Sequence, residues 1–444
     1  MARRRPLPAW GDVTDLTHDG RGVTSADGKR VFVHDALPGE RIEYQVVKRR
    51  RNYEEALPLT IENPAPERVE PRCPVFGRCG GCSLQHLEHE AQLEHKQRQL
   101  RENLQRIGQL GDVDLAEPIV ASPWAYRRRA RLGVKNVYGK GRVLVGFRER
   151  MKPYIVDMRH CDVLDPSLAN LPTELSELVA TLDAAARLPQ VEVSAADNQI
   201  ALVFRFLDAP SMADLGRLAA FQSAGPYTVW LQTGGPDTVA PLAAFHAPVA
   251  DPGLLHYELA SHRIRLSFRP TDFVQINAAV NTALVDHAID ALDLDASQHV
   301  LDLYCGIGNF TLPIARQAAA VSGVEGSADL TQRATDNAIA NGIDNAFFSS
   351  QDLEQISGNE PWLATGFRRV LLDPARAGAA TLMPILGKYR PARVVYVSCH
   401  PGTLARDLGV LVNDFGFRLV EARIADMFPH TAHVESVAVL DGPP

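Results

Sequence analysis

The apolar pattern of the last third of the chain is a series of short runs that each end in a polar group. Val300-Leu301 precedes Asp302, Ala320-Val-Ser-Gly-Val324 precedes Glu325, Phe347-Phe348 runs toward Asp352, Val370-Leu-Leu372 precedes Asp373, and Val394-Val-Tyr-Val397 runs into Ser398 and Cys399. Runs of this kind read as parallel strands buried on both faces. Helical stretches separate them, beginning with Asn277 to Leu292. From about residue 269 the pattern is therefore α/β. Open sheets of this type take ligands in the crevice beyond the carboxyl ends of their strands, which is where these polar side chains fall. Any one terminal Asp is also an ordinary helix N-cap, so the argument for a site rests on the recurrence.

The earlier pattern differs. Residues from about 10 to 65 alternate short strand-like runs (30–34, 41–47) with turns such as Leu37-Pro-Gly-Glu40, which predicts a small β-barrel. Pro64, Pro66 and Pro71 punctuate a linker, and the stretch from Gln85 to Ile107 reads as a helix stopped near Gly108. A helical pattern from Leu171 to Leu188 precedes strand-like segments at 191–194, 200–206 and 228–232, an α+β arrangement.

Composition narrows the class. The chain has 444 residues, 45% apolar and 22% charged, which suits a folded protein of several domains. No apolar run reaches membrane-spanning length, and Met1-Ala-Arg-Arg-Arg5 is followed by no apolar h-region, so a cytoplasmic protein away from membranes is expected. The net charge is -7, yet Tyr126 to Lys152 carries ten cations against Glu149 alone. That local excess, interleaved with Tyr126, Tyr138 and Phe147, predicts contact with a nucleic-acid backbone. Lys48-Arg-Arg-Arg-Asn-Tyr53 is either a second RNA grip or a solvated hairpin tip.

Six cysteines are too few for a disulfide scaffold. Cys73, Cys79 and Cys82 lie close enough to converge on one centre but leave it a ligand short; Cys161, which has no local partner, is the natural fourth. All-thiolate ligation fits an iron-sulfur cluster or structural zinc. Cys399, at the mouth of a buried strand, is either one more small buried hydrophobe or a nucleophile. Cys305 is its rival. It lies in Asp302-Leu-Tyr-Cys-Gly-Ile-Gly-Asn309, a glycine turn between strand and helix where backbone can approach a ligand closely. This turn lacks the third glycine of a dinucleotide site, and Asp302 would repel a pyrophosphate. It suits the cationic amino-acid end of S-adenosylmethionine, with Glu325 placed for a ribose diol and Asp352 for an adenine amino group.

Taken together, these residues resemble the RNA uracil-5-methyltransferases, in particular the 23S ribosomal RNA branch with an N-terminal TRAM domain. The likeness rests on Arg30 to Glu40, the four cysteines, Gly146-Phe-Arg148, Phe273-Val-Gln-Ile-Asn277, the glycine turn, Asp373-Pro-Ala-Arg376, Ser398-Cys-His-Pro401, and Asp426-Met-Phe-Pro-His-Thr-Ala-His-Val-Glu435. It implies an OB-like TRAM barrel over 1–68, a central α+β iron-sulfur domain over 69–268, and a Rossmann-like class I methyltransferase domain over 269–444. The helix near 90–120 would pack on that last domain.

The resemblance also implies a 4Fe-4S cluster on Cys73, Cys79, Cys82 and Cys161, without a redox part in methyl transfer. Gln275, Tyr304, Asn309, Glu325, Asp352 and Asp373 would line the S-adenosylmethionine site. Cys399 would add to uracil C6 and Glu435 would remove the C5 proton. The substrate implied is 23S ribosomal RNA, and the enzyme a monomer. Ala375 stands where relatives often carry a second proline, and Asp352 where some carry Asn. The competing readings are another uracil or transfer RNA as target, and a non-catalytic RNA-binding iron-sulfur sensor.

Overall fold

The structure, a computed structural model, describes residues 7–137, 139, 141–247 and 249–444. Tyr138 and Lys140 of the basic stretch, and the N-terminal Met1 to Pro6, lie outside the described residues.

The first sheet comprises β1 (Ala9–Asp12), β2 (Asp15–Leu16), β3 (Gly22–Ala26), β4 (Lys29–Val33), β5 (Arg41–Arg49) and β6 (Tyr53–Ile61), in the order β1-β5-β6-β4-β3-β2. Its two edge strands are consecutive pieces of chain, separated only by Val13 and Thr14. Val13 N–H donates to Glu40 O while Thr14 N–H donates to Val23 O, both at 2.8 Å, so the sheet closes on itself as a barrel. Alternation puts Val31, Val33, Ile42 and Tyr44 inside it. The β3–β4 turn is Asp27-Gly28, both at positive φ, a pairing that suits a two-residue hairpin.

Helix α1 (His89–Arg106) follows. It packs against α8, described below, where the chain must come very close: a Cβ on Gly108 would lie 2.8 Å from Ala405 O, and one on Gly409 would lie 2.8 Å from Gly108 O. Leu100 and Leu104 of α1 are fully buried in the core of the third sheet. Beyond the helix, Ala116 N–H and Ile119 N–H donate to Ala422 O and Ile424 O, covering that sheet's edge strand.

The second sheet, in the order β12-β11-β10-β9-β7-β8, comprises β7 (Arg129–Val137), β8 (Arg142–Gly146), β9 (Gln190–Ala195), β10 (Ile200–Arg205), β11 (Tyr227–Gln232) and β12 (Ala240–Pro241), with α2 (Leu171–Thr181) and α3 (Met212–Ala224) beside it. Helix α2 stops short of the expected Leu188. The amides of Asp183 and Ala184 donate instead to the buried Asp214 carboxylate, at 2.7 and 3.1 Å, an alternative to continuing the helix.

The hairpin β13 (Leu255–Leu259) and β14 (Ile264–Phe268) shares a core with α4 (Ala278–Leu292) and the third sheet. That sheet contains β15 (His299–Leu303), β16 (Ala320–Glu325), β17 (Ala346–Ser350), β18 (Arg369–Leu372), β19 (Arg393–Ser398), β20 (Arg418–Ala425) and β21 (Glu435–Asp441), with α5 (Thr311–Ala315), α6 (Ala328–Ala340), α7 (Met383–Tyr389) and α8 (Pro401–Gly409) in the connections. Its order is β17-β16-β15-β18-β19-β21-β20, parallel except for β21, which runs antiparallel to both of its neighbours. Strand β17 ends at Ser350, so Asp352 lies beyond the strand that was expected to carry it. No helix among the described residues is long and apolar enough to cross a membrane.

Candidate active site

The antiparallel insertion of β21 builds the site. Ser398 pairs with Ser436 at the end of the ladder; Cys399 follows the first and Glu435 precedes the second, close enough for the carboxylate's charge to bear on the thiol. The turn after β19 is tied locally: Ser436 Oγ donates to Ser398 O at 3.1 Å, His400 N–H donates to Ser398 Oγ at 3.2 Å, and the His400 ring accepts from Thr403 N–H as the cap of α8. Cys399 is half-buried and opens onto a cleft of about 920 Å³. Cys305 is 4% exposed and does not reach it.

Buried carboxylates collect behind Cys399. Burial, then the charge of Asp373, pushes Glu435 well above the ordinary carboxylate range. Burial pushes Asp373 up to about 7. Asp302 is also pushed up to about 7, by burial and then by Asp373 and Glu325. The Thr311 hydroxyl donates to Asp302 Oδ2 at 2.5 Å, but Oδ1 is buried without a partner among the described residues. An orphaned carboxylate oxygen among other acids is a place prepared for a cation. Cys399 feels the same field: burial, then Glu435 and Asp373, raise its thiol to about 11, with Arg376 opposing them.

The remaining expected side chains divide into groups. Glu325 braces the glycine turn, accepting from Gly306 N–H at 3.2 Å and Ser327 N–H at 3.0 Å. Tyr304 is in the left-handed region at φ 65°, strained for a residue with a side chain, and its hydroxyl donates to Glu354 at 3.5 Å. A Cβ on Gly306 would meet nothing within 4 Å, so this turn faces open space. Asn309 forms a reciprocal amide pair with Asn281 and accepts from Tyr257, while Gln275 lines a separate cavity of about 240 Å³ together with Tyr257 and Asn281. Asp352 is exposed and occupied locally, accepting from Glu354 N–H and the Gln355 side chain at 3.0 and 2.8 Å.

The cleft in front of Cys399 is assembled from segments far apart in the chain. His18 and Asp19 come from the barrel, Gly80 to Ser83 from the cysteine loop, and Gln99 and Asn103 from α1. Arg127 and Phe147 to Arg150 come from segments flanking β7 and β8 of the second sheet, and Arg376, His400 and residues 431–434 from the connections of the third. Sequence reasoning missed the α1 face and His18, whose neighbours in the cleft are hundreds of residues distant.

At least five of the ten cations of the basic stretch have partners within the protein. Arg128 pairs with Asp165 and Asp197, Arg131 with Glu192, Arg142 with Asp157, and Arg150 with Asp35. Arg129 is mostly buried and donates to the carbonyls of Pro270 and Asp272. Arg127, Arg148 and Arg150 are the members of the stretch that line the cleft.

Cys73, Cys79, Cys82 and Cys161 all line one cavity, whose wall of Gly81, Cys82, Arg127 and Phe147 is shared with the cleft. Burial, followed by a backbone N–H that opposes it and then the neighbouring thiols, raises Cys79 to about 11. Burial raises Cys82 to about 12, with the other three thiols adding to it. Among the described residues, no three His, Cys, Asp or Glu side chains are grouped closely enough to hold a metal ion.

A sheet of this order, with a glycine turn after its first strand and acids at its strand ends, defines the fold of an S-adenosylmethionine-dependent methyltransferase. A family model described as tRNA (Uracil-5-)-methyltransferase matches residues 256–442. The 23S rRNA (uracil(1939)-C(5))-methyltransferase RlmD of Alkalilimnicola ehrlichii is 48% identical over 98% of each chain. That of Methylococcus capsulatus is 42% identical over 99% of each. The crystal structure of Pyrococcus abyssi tRNA (uracil-54, C5)-methyltransferase in complex with S-adenosyl-L-homocysteine matches with a TM-score of 0.74, covering 97% of this chain and 100% of that one at 24% identity, a likeness of fold. The chain belongs to the RlmD family of 23S rRNA uracil-C5-methyltransferases.

The elevated Asp302 carboxyl has a measurable consequence. Its folded value of about 7, against about 3.9 in an unfolded chain, means that the ligand-free folded protein retains a proton that the unfolded chain releases between those values. Stability from this group is full below about pH 4 and is lost as pH rises to about 7. The unfolding free energy of wild type minus that of Asp302→Asn should therefore fall over this range. A flat difference would contradict the assignment.

Proposed function

We propose that this protein methylates C5 of a uracil in 23S ribosomal RNA, using S-adenosylmethionine and a covalent adduct on Cys399. The observation that carries the reading is a half-buried thiol lining a cleft large enough for a nucleotide, with the buried Glu435 carboxylate close enough for its charge to bear on that thiol.

Uracil C5 is a weak nucleophile. Addition of the Cys399 thiolate to C6 makes the ring an enolate, and C5 can then attack a methyl group. The Arg376 guanidinium favours the thiolate, and burial with the adjacent acids opposes it. Bound S-adenosylmethionine supplies the methyl group and a positive charge. Asp302, with its orphaned oxygen, would face that ligand's cationic end, Glu325 its ribose and Asp352 its adenine; Gln275, Tyr304, Asn309 and Asp373 complete the proposed lining. After transfer, Glu435 takes the C5 proton and Cys399 leaves. The target base must leave its stack to enter the cleft. The first barrel, as a TRAM domain, and Arg127, Arg148 and Arg150 would hold the RNA backbone around it.

We further propose that Cys73, Cys79, Cys82 and Cys161 hold a 4Fe-4S cluster that shapes the wall between their cavity and the cleft. Four thiols lining one cavity suit all-thiolate ligation. Protein purified without oxygen should contain about four irons and as many acid-labile sulfides per chain, and Cys161→Ser should lose most of both. Stoichiometric zinc would contradict this.

The reaction itself is tested with RNA fragments tritiated at uracil C5, which release tritium to water as the methyl group replaces it. A 23S fragment should release tritium with wild type and with Cys305→Ala. Cys399→Ala should be slower by at least about a thousandfold. Release by Cys399→Ala at the wild-type rate would overturn the assigned nucleophile, and release only from transfer RNA would move the substrate.

A further inference from the structure

Residues 426–434 connect β20 to β21 and lead directly into Glu435, which stands at the open end of the ladder where its pairing with Ala425 is the last. They also line the cleft through Phe428 and residues 431–434. This loop is held by parts of the chain far from it in sequence. Lys96 of α1 donates to Asp426 Oδ1 at 2.6 Å and to Phe428 O at 3.0 Å. His89 Nε2 lies 2.8 Å from Asp426 Oδ2, and His430 N–H donates to Gln92 Oε1 at 2.9 Å. The Tyr126 hydroxyl donates to Pro429 O at 3.0 Å, and Ser83 N–H and Leu84 N–H both donate to His430 O at 2.9 Å.

Two features indicate that position is what this arrangement secures. Lys96 and Asp426 are each 1% exposed, and a buried ion pair of this kind loses so much hydration that an apolar pair would stabilise the fold about as well. His430 is at φ 62°, a left-handed conformation that a non-glycine residue keeps only when its surroundings impose it. The loop therefore depends on its outside contacts for its shape. Cys399 does not: it follows β19, which is paired on both sides within the sheet.

We propose that Lys96 and Asp426 are positioning residues for Glu435, pinning the loop from α1 so that the carboxylate meets the C5 proton after methyl transfer. This rests on the reading of Glu435 as the base. In that step the C5–H proton passes to the Glu435 carboxylate, the C5–H electrons form the C5=C6 double bond, and the C6–S electrons return to Cys399 as thiolate. A displaced Glu435 slows this elimination and leaves addition and methyl transfer in place, so methylated RNA stays attached to the protein.

The test uses full-length protein, S-adenosylmethionine carrying a labelled methyl group and an ordinary uridine-containing 23S fragment, with adduct measured on denaturing gels over a single turnover. Lys96→Met should form labelled adduct within about threefold of the wild-type rate and release it between about tenfold and a hundredfold more slowly, the cost of a displacement near 1 Å. Should Lys96→Met unfold, Lys96→Met with Asp426→Leu leaves no unpaired buried charge, and His89→Ala removes only the partly exposed contact; both should slow release selectively. Release at the wild-type rate, or equal slowing of formation and release as from general loosening, overturns the proposal. Glu435→Gln separates the two levels. If it accumulates adduct while the Lys96 variants do not, the latch is wrong and the base stands; if it does not accumulate adduct, the reading of the base fails and the latch with it.

Discussion

The site depends on one pairing, the antiparallel run of β21 beside β19. A parallel strand in that place would need a crossover and would present a different end to the crevice. Entering antiparallel, β21 begins where β19 finishes, so Glu435 and Cys399 flank the last pair of the ladder, Ser398 and Ser436. The first residue of one strand thus lies behind the cleft and the residue just past the other lines it. Everything else in the cleft is arranged around that junction: His400 caps α8 from the same turn, and residues 431–434 lead directly into Glu435.

The junction has an electrostatic cost. Asp302, Asp373 and Glu435 lie near one another in low-dielectric surroundings, and each is driven toward its protonated form. Such a group is poorly suited to stability and well suited to a cationic ligand. Cations are supplied elsewhere by the fold: Arg376 at the thiol and Lys96 at Asp426. The cysteine cavity adjoins the same region through Gly81, Cys82, Arg127 and Phe147, so the wall of the cleft is continuous with it. No part of the chain forms the cleft alone.

Legibility in the sequence followed the range of the interactions involved. Strands β15, β16, β18 and β19 were readable because burial on both faces leaves an unbroken apolar run, and their terminal groups followed from the rule for open sheets. Cys161 was readable as a companion of Cys73, Cys79 and Cys82 because it lacked a local partner, and it does line their cavity. The internal pairing of the basic stretch was not legible because a window counts only its own acids, whereas Asp35, Asp157, Asp165, Glu192 and Asp197 arrive from other segments. The end of α2 was missed because its competitor, Asp214, is brought in from α3. Lys96 carried no local signal, since a lysine in a polar helix reads as solvated, and its partner is 330 residues away.

The central claim is that Cys399 forms the bond to the base. The most direct measurement is to react the protein and S-adenosylmethionine with a 23S fragment containing 5-fluorouridine, digest the product, and locate the modified peptide by mass spectrometry. Fluorine at C5 cannot leave as a proton does, so elimination is blocked and the adduct persists. The account predicts a single modified peptide carrying methylated fluorouridine on Cys399. Modification of Cys305 instead, or methylated RNA with no protein attached, would contradict it.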